Sequence, residues 1–201
     1  MIVAGRALSL PFFCLPCLSF CRVFLSHRPP TMRAVSINGN WARIPGADLA
    51  RAQNDLDWAY EQAQAAVQNE DGRWFSTDKT WHALDFLLNR HGLDVPIAFG
   101  EGLLVDAVND GSRSLEDADW GAGPAGYLVP ENVAKVAAAL ADVTEADLIR
   151  DVDPAEMNEI YPSVWDDDPG ELEWAVHLLP GVKQFFADAA RAGDAVICWL
   201  D

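Results

Sequence analysis

The C-terminal end limits the fold more than any other part of the chain. Ala195-Val196-Ile197-Cys198-Trp199-Leu200 is an unbroken apolar run beside the terminal Asp201. It is too short for a helix of its own, and its β-branched residues favour extended backbone. A continuous apolar run has no polar side to turn to water, which predicts a strand in the middle of a sheet. Such a strand needs a neighbour from elsewhere in the chain. Ala34-Val35-Ser36-Ile37 supplies a first strand near the other end.

Between them the pattern is helical. Residues 38–46 are rich in turn formers and read as a loop. After Asp48, Leu49, Ala52, Leu56, Tyr60, Ala63 and Val67 recur on one face, predicting a single helix that ends at 69–72. Ser76, Thr77 and Asp78 offer N-caps for a second helix reaching Arg90, with His91-Gly92 as its stop. Residues 97–108, interrupted by Gly100 and Gly102, fit either a helix or a strand with a turn. Residues 109–126 form a long polar, glycine-rich loop, and Tyr127-Leu128-Val129 a short strand. Pro130 then opens a helix with Val133, Val136, Ala137 and Leu140 on its apolar stripe. Thr144 with Asp147 starts a further turn, and Asp153-Pro154 a short helix ended by Tyr161-Pro162. Leu172, Val176, Leu179, Val182, Phe186 and Ala189 mark a last helix, kinked at Pro180 and stopped by Gly193. The expected architecture is α+β: one helix-rich domain whose small sheet pairs the N- and C-terminal strands.

Residues 1–31 differ from the rest. They hold Arg6, Arg22 and Arg28, no acidic residue, and three of the four cysteines. A signal peptide would use Arg6 and the apolar stretch after it, but Pro11 and Pro16 break the helix and no A-x-A site follows. Phe20 before Cys21 is too large for a lipoprotein anchor, and the run is short of the roughly 20 residues that span a membrane. Translation starting at Met32 is the favoured reading, which makes 1–31 an extension outside a 32–201 domain; a secretory signal is the alternative. Cys14-x-x-Cys17 lacks the second ligand pair of a zinc site. Only Cys198 remains in the domain, so no disulfide can form within it, which points to a reducing, cytoplasmic setting.

The 14 basic residues of the chain less those three leave 11 against all 31 acidic ones, a net of −20 for 32–201. A polyanion is repelled by nucleic-acid backbones and anionic membranes, so neither is expected as a partner.

Two clusters carry candidate chemistry. On the helix ending at Arg90, Asp78, His82, Asp85 and Asn89 share one face, with Trp81 at its edge and Leu84, Leu87 and Leu88 toward the core. A histidine one turn from carboxylates suits acid–base work or metal binding, although a solvated helix face has the same letters. Glu156 and Glu159, three residues apart and followed by Tyr161 and Trp165, could present paired carboxylates. Gly121-Ala-Gly-Pro-Ala-Gly126 has the letters of a dinucleotide fingerprint but neither the strand before it nor the helix opening within it. Asp166-Asp167-Asp168 lacks the alternation of a calcium loop. His91 fits a helix C-terminus and His177 an interface among apolar neighbours. Trp41, Trp120 and Trp165 fall in segments read as loops, where aromatics beside acids make a recognition surface.

Trp81-His82-Ala-Leu-Asp-Phe-Leu-Leu88, the glycine-rich loop leading to Tyr127-Leu128, Glu159-Ile160-Tyr161-Pro162 with Trp165, and the final helix and strand occur in that order. Together they resemble the YfbM-like family of small bacterial proteins, domain-of-unknown-function family 1877, over residues 32–201. The resemblance implies an α+β fold and a cytoplasmic bacterial protein. It implies no activity, and it brings no catalytic residues.

The expectation is a non-catalytic acidic binding module, inhibitor- or immunity-like in one version, for a basic protein or cationic ligand. Trp81, His82, Tyr127, Glu159, Tyr161 and Trp165 are its binding residues, and no cofactor or metal is expected. The alternative is a small-molecule or metal-dependent hydrolase centred on His82, Asp85 and Glu159. A combined site requires His82 within about 10 Å of Glu156, Glu159 or Tyr161, because acid–base chemistry needs hydrogen-bond reach.

Overall fold

The computed structural model describes residues 36–93, 95–104, 119–165 and 168–201. The expectations for residues 1–31, for the first strand at 34–35, for residues 105–118 and for Asp166-Asp167 lie outside them. The strands are β1 (Gly39–Pro45), β2 (Trp74–Asp78), β3 (Gly102–Leu103), β4 (Gly126–Leu128) and β5 (Asp194–Leu200). The helices are α1 (Leu49–Asn54), α2 (Leu56–Asn69), α3 (Trp81–Arg90), α4 (Pro130–Leu140), α5 (Glu145–Ile149), α6 (Pro169–Val176) and α7 (Leu179–Ala192). The strands form one antiparallel sheet in the order β2-β1-β5-β4-β3. The fold is α+β, and β5 lies at its centre as its apolar run requires.

Alternation along the strands divides the core. Trp41, Leu128, Val196 and Cys198 face the side covered by α3, α4 and α7. Ala42, Ile44, Ala195, Ile197 and Trp199 face α1 and α2.

The N-terminal partner of β5 is displaced from its expected place. It runs through Gly39–Pro45, the segment that reads as a loop, and Trp41 sits opposite Cys198. The glycine there serves packing rather than a turn: a Cβ on Gly39 would meet the Cβ of Trp81 and the Thr77 hydroxyl at 2.5 Å. β2 was also unexpected. Ser76 and Thr77 do not cap α3; their hydroxyls donate to the Gly39 carbonyl and tie β2 to β1. The helix therefore begins at Trp81, three residues later than its cap signals suggest.

Two expected long helices are each a pair. Asp55 leaves helical backbone (φ −140°, ψ 84°) and its carboxylate accepts the Trp58 N–H, capping α2 afresh. The buried stripe then passes through Ala59 and Ala66, and Tyr60 is left 45% exposed. Pro180 does not kink a continuous helix, because α6 has already ended at Val176 and the proline occupies the first turn of α7. Thr144 and Asp147 form the expected capping box of α5. Gly193 ends α7 in left-handed backbone at φ 70°, as its position past the apolar stripe indicates.

Candidate functional site

The N-terminal turn of α3 gathers three segments that are far apart in sequence. Trp81, only 7% exposed, donates its indole N–H to the Ile37 carbonyl at 3.1 Å. The Ile37 N–H donates to the Tyr161 hydroxyl at 2.8 Å. The Tyr161 N–H donates to Nδ1 of His82 at 3.0 Å. Stacking follows the same path. The Trp81 ring lies over Tyr161, centroids 5.9 Å apart and 24° from parallel, and over His82 at 4.9 Å and 11°. Phe99 stands edge-on to Trp81 at 5.5 Å and is 54% exposed. Such edge and offset contacts hold aromatic rings in fixed orientations.

His82 and Tyr161 are thus brought together, as a combined site requires. The expected α3 face is only partly realised. Asp78 lies in β2 with φ 50°, outside the helix, so it leaves the group formed with His82, Asp85 and Asn89. His82 is half-buried, and burial lowers its pKa below the ordinary 6.5. An Nδ1 that accepts an amide N–H is unprotonated, so the ring is neutral with its proton on Nε2. Burial pushes the Asp85 carboxyl up to about 6, offset in part by the hydrogen bond from Asn89.

That shift has a stability consequence. Asp85 titrates near 3.8 when unfolded and near 6 when folded, so the native state binds more protons between these values. Stability therefore falls as pH rises from about 4 to about 6 and stays lower above that range. We expect Asp85→Asn, which keeps the Asn89 contact and removes the charge, to stabilise the protein at pH 7. The gain is roughly 1–2 kcal/mol after discounting for the solvent the carboxyl still meets. Denaturant titrations at pH 7 and pH 3.5 check it, since the gain should vanish at the lower pH.

Glu156 pairs with Arg90 at 3.2 Å, and Arg90 also donates to the Asp151 carbonyl. This leaves Glu159 exposed and without Glu156 as a partner carboxylate. Among the described residues no three His, Cys, Asp or Glu side chains form a group able to hold a metal. Trp165 is in the core, donating to the Ile160 carbonyl at 2.7 Å and packed on Trp174. Trp41 is buried in β1, and Trp120 packs between Tyr60 and Trp199. Trp41 and Trp165 are thus not part of the surface of loop tryptophans expected from the sequence, drawn inward by their large apolar area, and Trp120 is partly exposed. Tyr127 packs with the α1–α2 side of the sheet, away from Trp81 and Tyr161. His177 is exposed and its ring stacks on Trp174. His91 meets the Leu148 carbonyl at the end of α3. The glycine-rich segment 121–126 leads into β4, not a helix, so the dinucleotide context is missing.

Phe99 is the residue that the sequence reading passed over. Its only signal was an aromatic at the edge of the Gly100-Glu101-Gly102 turn. The carbonyl of Phe99 lies so near Gly126 that a Cβ there would be 2.0 Å from it, which fixes the turn against β4. Beside it is an apolar cleft of about 200 Å³ lined by Phe99, Leu103, Pro124, Gly126, Cys198 and Trp199. Burial, with Glu101 nearby, pushes the Cys198 thiol up to about 12, so it is no nucleophile at neutral pH. His82, Asp85 and Glu159 are not among the cleft's walls.

Among the described residues no helix is long and apolar enough to cross a membrane. The family model described as "Domain of unknown function (DUF1877)" matches residues 35–199. No curated protein matches the chain. Among solved structures the chain is similar to a protein of unknown function, YfbM from Escherichia coli, at a TM-score of 0.54 and 21% identity. That likeness covers 82% of this chain and 99% of the other, and it is a likeness of fold.

Proposed function

Because the chain belongs to the domain-of-unknown-function family DUF1877, for which the fold names no reaction, we propose from its own geometry that it is a non-catalytic acidic module that binds a basic protein. The observation that carries this reading is Phe99, a large apolar ring held half in water against the Trp81–Tyr161 stack. A rigid exposed aromatic loses little entropy on contact and is the kind of residue that anchors an interface. The net charge of −20 on residues 32–201 would steer a cationic partner toward it. Glu159, two residues before Tyr161, adds an exposed carboxylate beside the platform. His82 supports the platform as a hydrogen-bond acceptor, which occupies the nitrogen that a general base would need.

The test is affinity capture from lysate of the source cells, using the full chain and its Phe99→Ala variant, with washes at low and high salt. A basic protein retained by the parent, released by salt, and reduced at least about tenfold by Phe99→Ala is the expected result. Equal capture by both chains, or no specific capture, would contradict the proposal. The raised carboxyl of Asp85 is the one observation that favours the hydrolase reading centred on His82, Asp85 and Glu159. On that reading Asp85→Asn would abolish turnover in a screen of hydrolysable substrates; on ours it changes stability only.

A further inference from the structure

The hydrogen bonds around Ile37 form a chain that ends on a histidine. The Ile37 peptide is held on both sides, its N–H by the Tyr161 hydroxyl and its carbonyl by the Trp81 indole. Ile37 lies two residues before β1, so this clamp fixes the path into the sheet. Tyr161 is itself fixed through its N–H on Nδ1 of His82. Trp81 and His82 are neighbours on the first turn of α3, so one turn of helix holds both ends of the clamp.

We infer that His82 is a proton-operated latch: its neutral ring holds Tyr161 against α3 and, through Tyr161, the Ile37 peptide, and protonation releases both. An imidazolium carries protons on both nitrogens and accepts no hydrogen bond. The Tyr161 N–H would then face another N–H across 3.0 Å, a lost acceptor and a repulsion in place of a bond. Burial already disfavours the charged ring. With the folded pKa below 6.5, the unfolded state binds more protons, so the latch is intact above that value and is lost as pH falls through the folded one.

Charged groups are carried by α3 and by the elements packed on it. α3 contributes Asp85 and Arg90, the end of β2 Asp78, and the turn between them Lys79. The segment carrying Tyr161 contributes Glu159, with Glu156 held by Arg90. Of the helices packed on α3, α5 brings Glu145 and Asp147, the latter paired with Arg150 just past the helix, and α6 brings Glu171 and Glu173. Residues 36–38 bring no charge. Asp85 titrates in an overlapping range with the opposite effect on stability, so it must be neutralised in any test. The latch belongs to the fold and does not rest on the binding reading.

The test is NMR of the full chain carrying Asp85→Asn, following the ring nitrogens of His82 and the amides of Ile37 and Tyr161 from pH 8 to pH 5. The expected result is a neutral ring with its proton on Nε2 at high pH, titrating below 6.5. Both amides should shift with the same midpoint, and their exchange, corrected for intrinsic rates, should accelerate by about tenfold or more. His82→Asn places an amide oxygen near the Nδ1 position without a titrating group, and should keep both amides protected throughout. His82→Phe should leave them unprotected at every pH. A His82 that titrates at or above 6.5, amides indifferent to its titration, or the same transition in His82→Asn would each overturn the latch.

Discussion

Replacing Trp41 with alanine should cost about 3–5 kcal/mol, a large share of the roughly 5–15 kcal/mol that holds a domain of this size together. Trp41 is 1% exposed and is the largest of the fully buried side chains among the described residues, in the core beneath α3 and α7. Its ring meets Phe75, Phe185 and Phe186 with centroids 5.4–6.1 Å apart, so truncation opens a void touching strand β2 and helix α7 together. Its indole N–H donates to the Ile97 carbonyl at 2.5 Å, and that acceptor would be stranded. Trp41→Phe separates the two effects. It keeps most of the ring contact and removes the hydrogen-bond donor, for an expected loss of about 1–3 kcal/mol. Denaturant titration with unchanged slope reads both values. A cost under about 1 kcal/mol for the alanine variant would mean that this ring does not organise the core.

The second large effect is expected at Arg43. Its guanidinium pairs with Asp194 at 3.0 Å and donates to the Asp188 carbonyl at 3.1 Å, with only 14% and 10% of the paired side chains exposed. Arg43→Met would leave the Asp194 carboxylate buried without its cation, at a cost of about 3–5 kcal/mol. The same principle predicts recovery. In Arg43→Met with Asp194→Asn neither charge remains, and stability should return to within about 1–2 kcal/mol of the parent. The single variant should also lose less at acid pH, where an orphaned carboxylate takes up a proton. If the double variant is as unstable as the single one, the loss comes from packing of the arginine stem rather than from the charge.

The features that were legible in the sequence share a property: each is decided by residues within one turn or one strand of each other. The capping box at Thr144 and Asp147, the Pro130 start of α4, the Gly193 stop and the apolar run of β5 are of this kind. The misread segments depended on distant neighbours. Gly39 looks like a turn residue until the Trp81 side chain is seen against it. Ser76 and Thr77 look like helix caps until their hydroxyls are seen on the Gly39 carbonyl. Tyr60 continues the helical stripe on paper, yet the break at Asp55 rotates α2 so that Ala59 takes the buried position.

The candidate site divides in the same way. Trp81, His82, Glu159 and Tyr161 were readable as a constellation because aromatic and titratable residues stood out against helical spacing. Their connections were not readable. The Tyr161 amide on His82, 79 residues away, and the Ile37 peptide between Trp81 and Tyr161 are backbone contacts, and backbone groups are the same in every sequence. Trp41 and Trp165 read as surface aromatics, yet they are buried, and Phe99 is exposed. The sequence by itself determined the class of fold, the acidic charge and the central strand, because local spacing and composition decide those. Only the tertiary structure decided which aromatic meets water, because that depends on which surfaces the rest of the chain leaves uncovered.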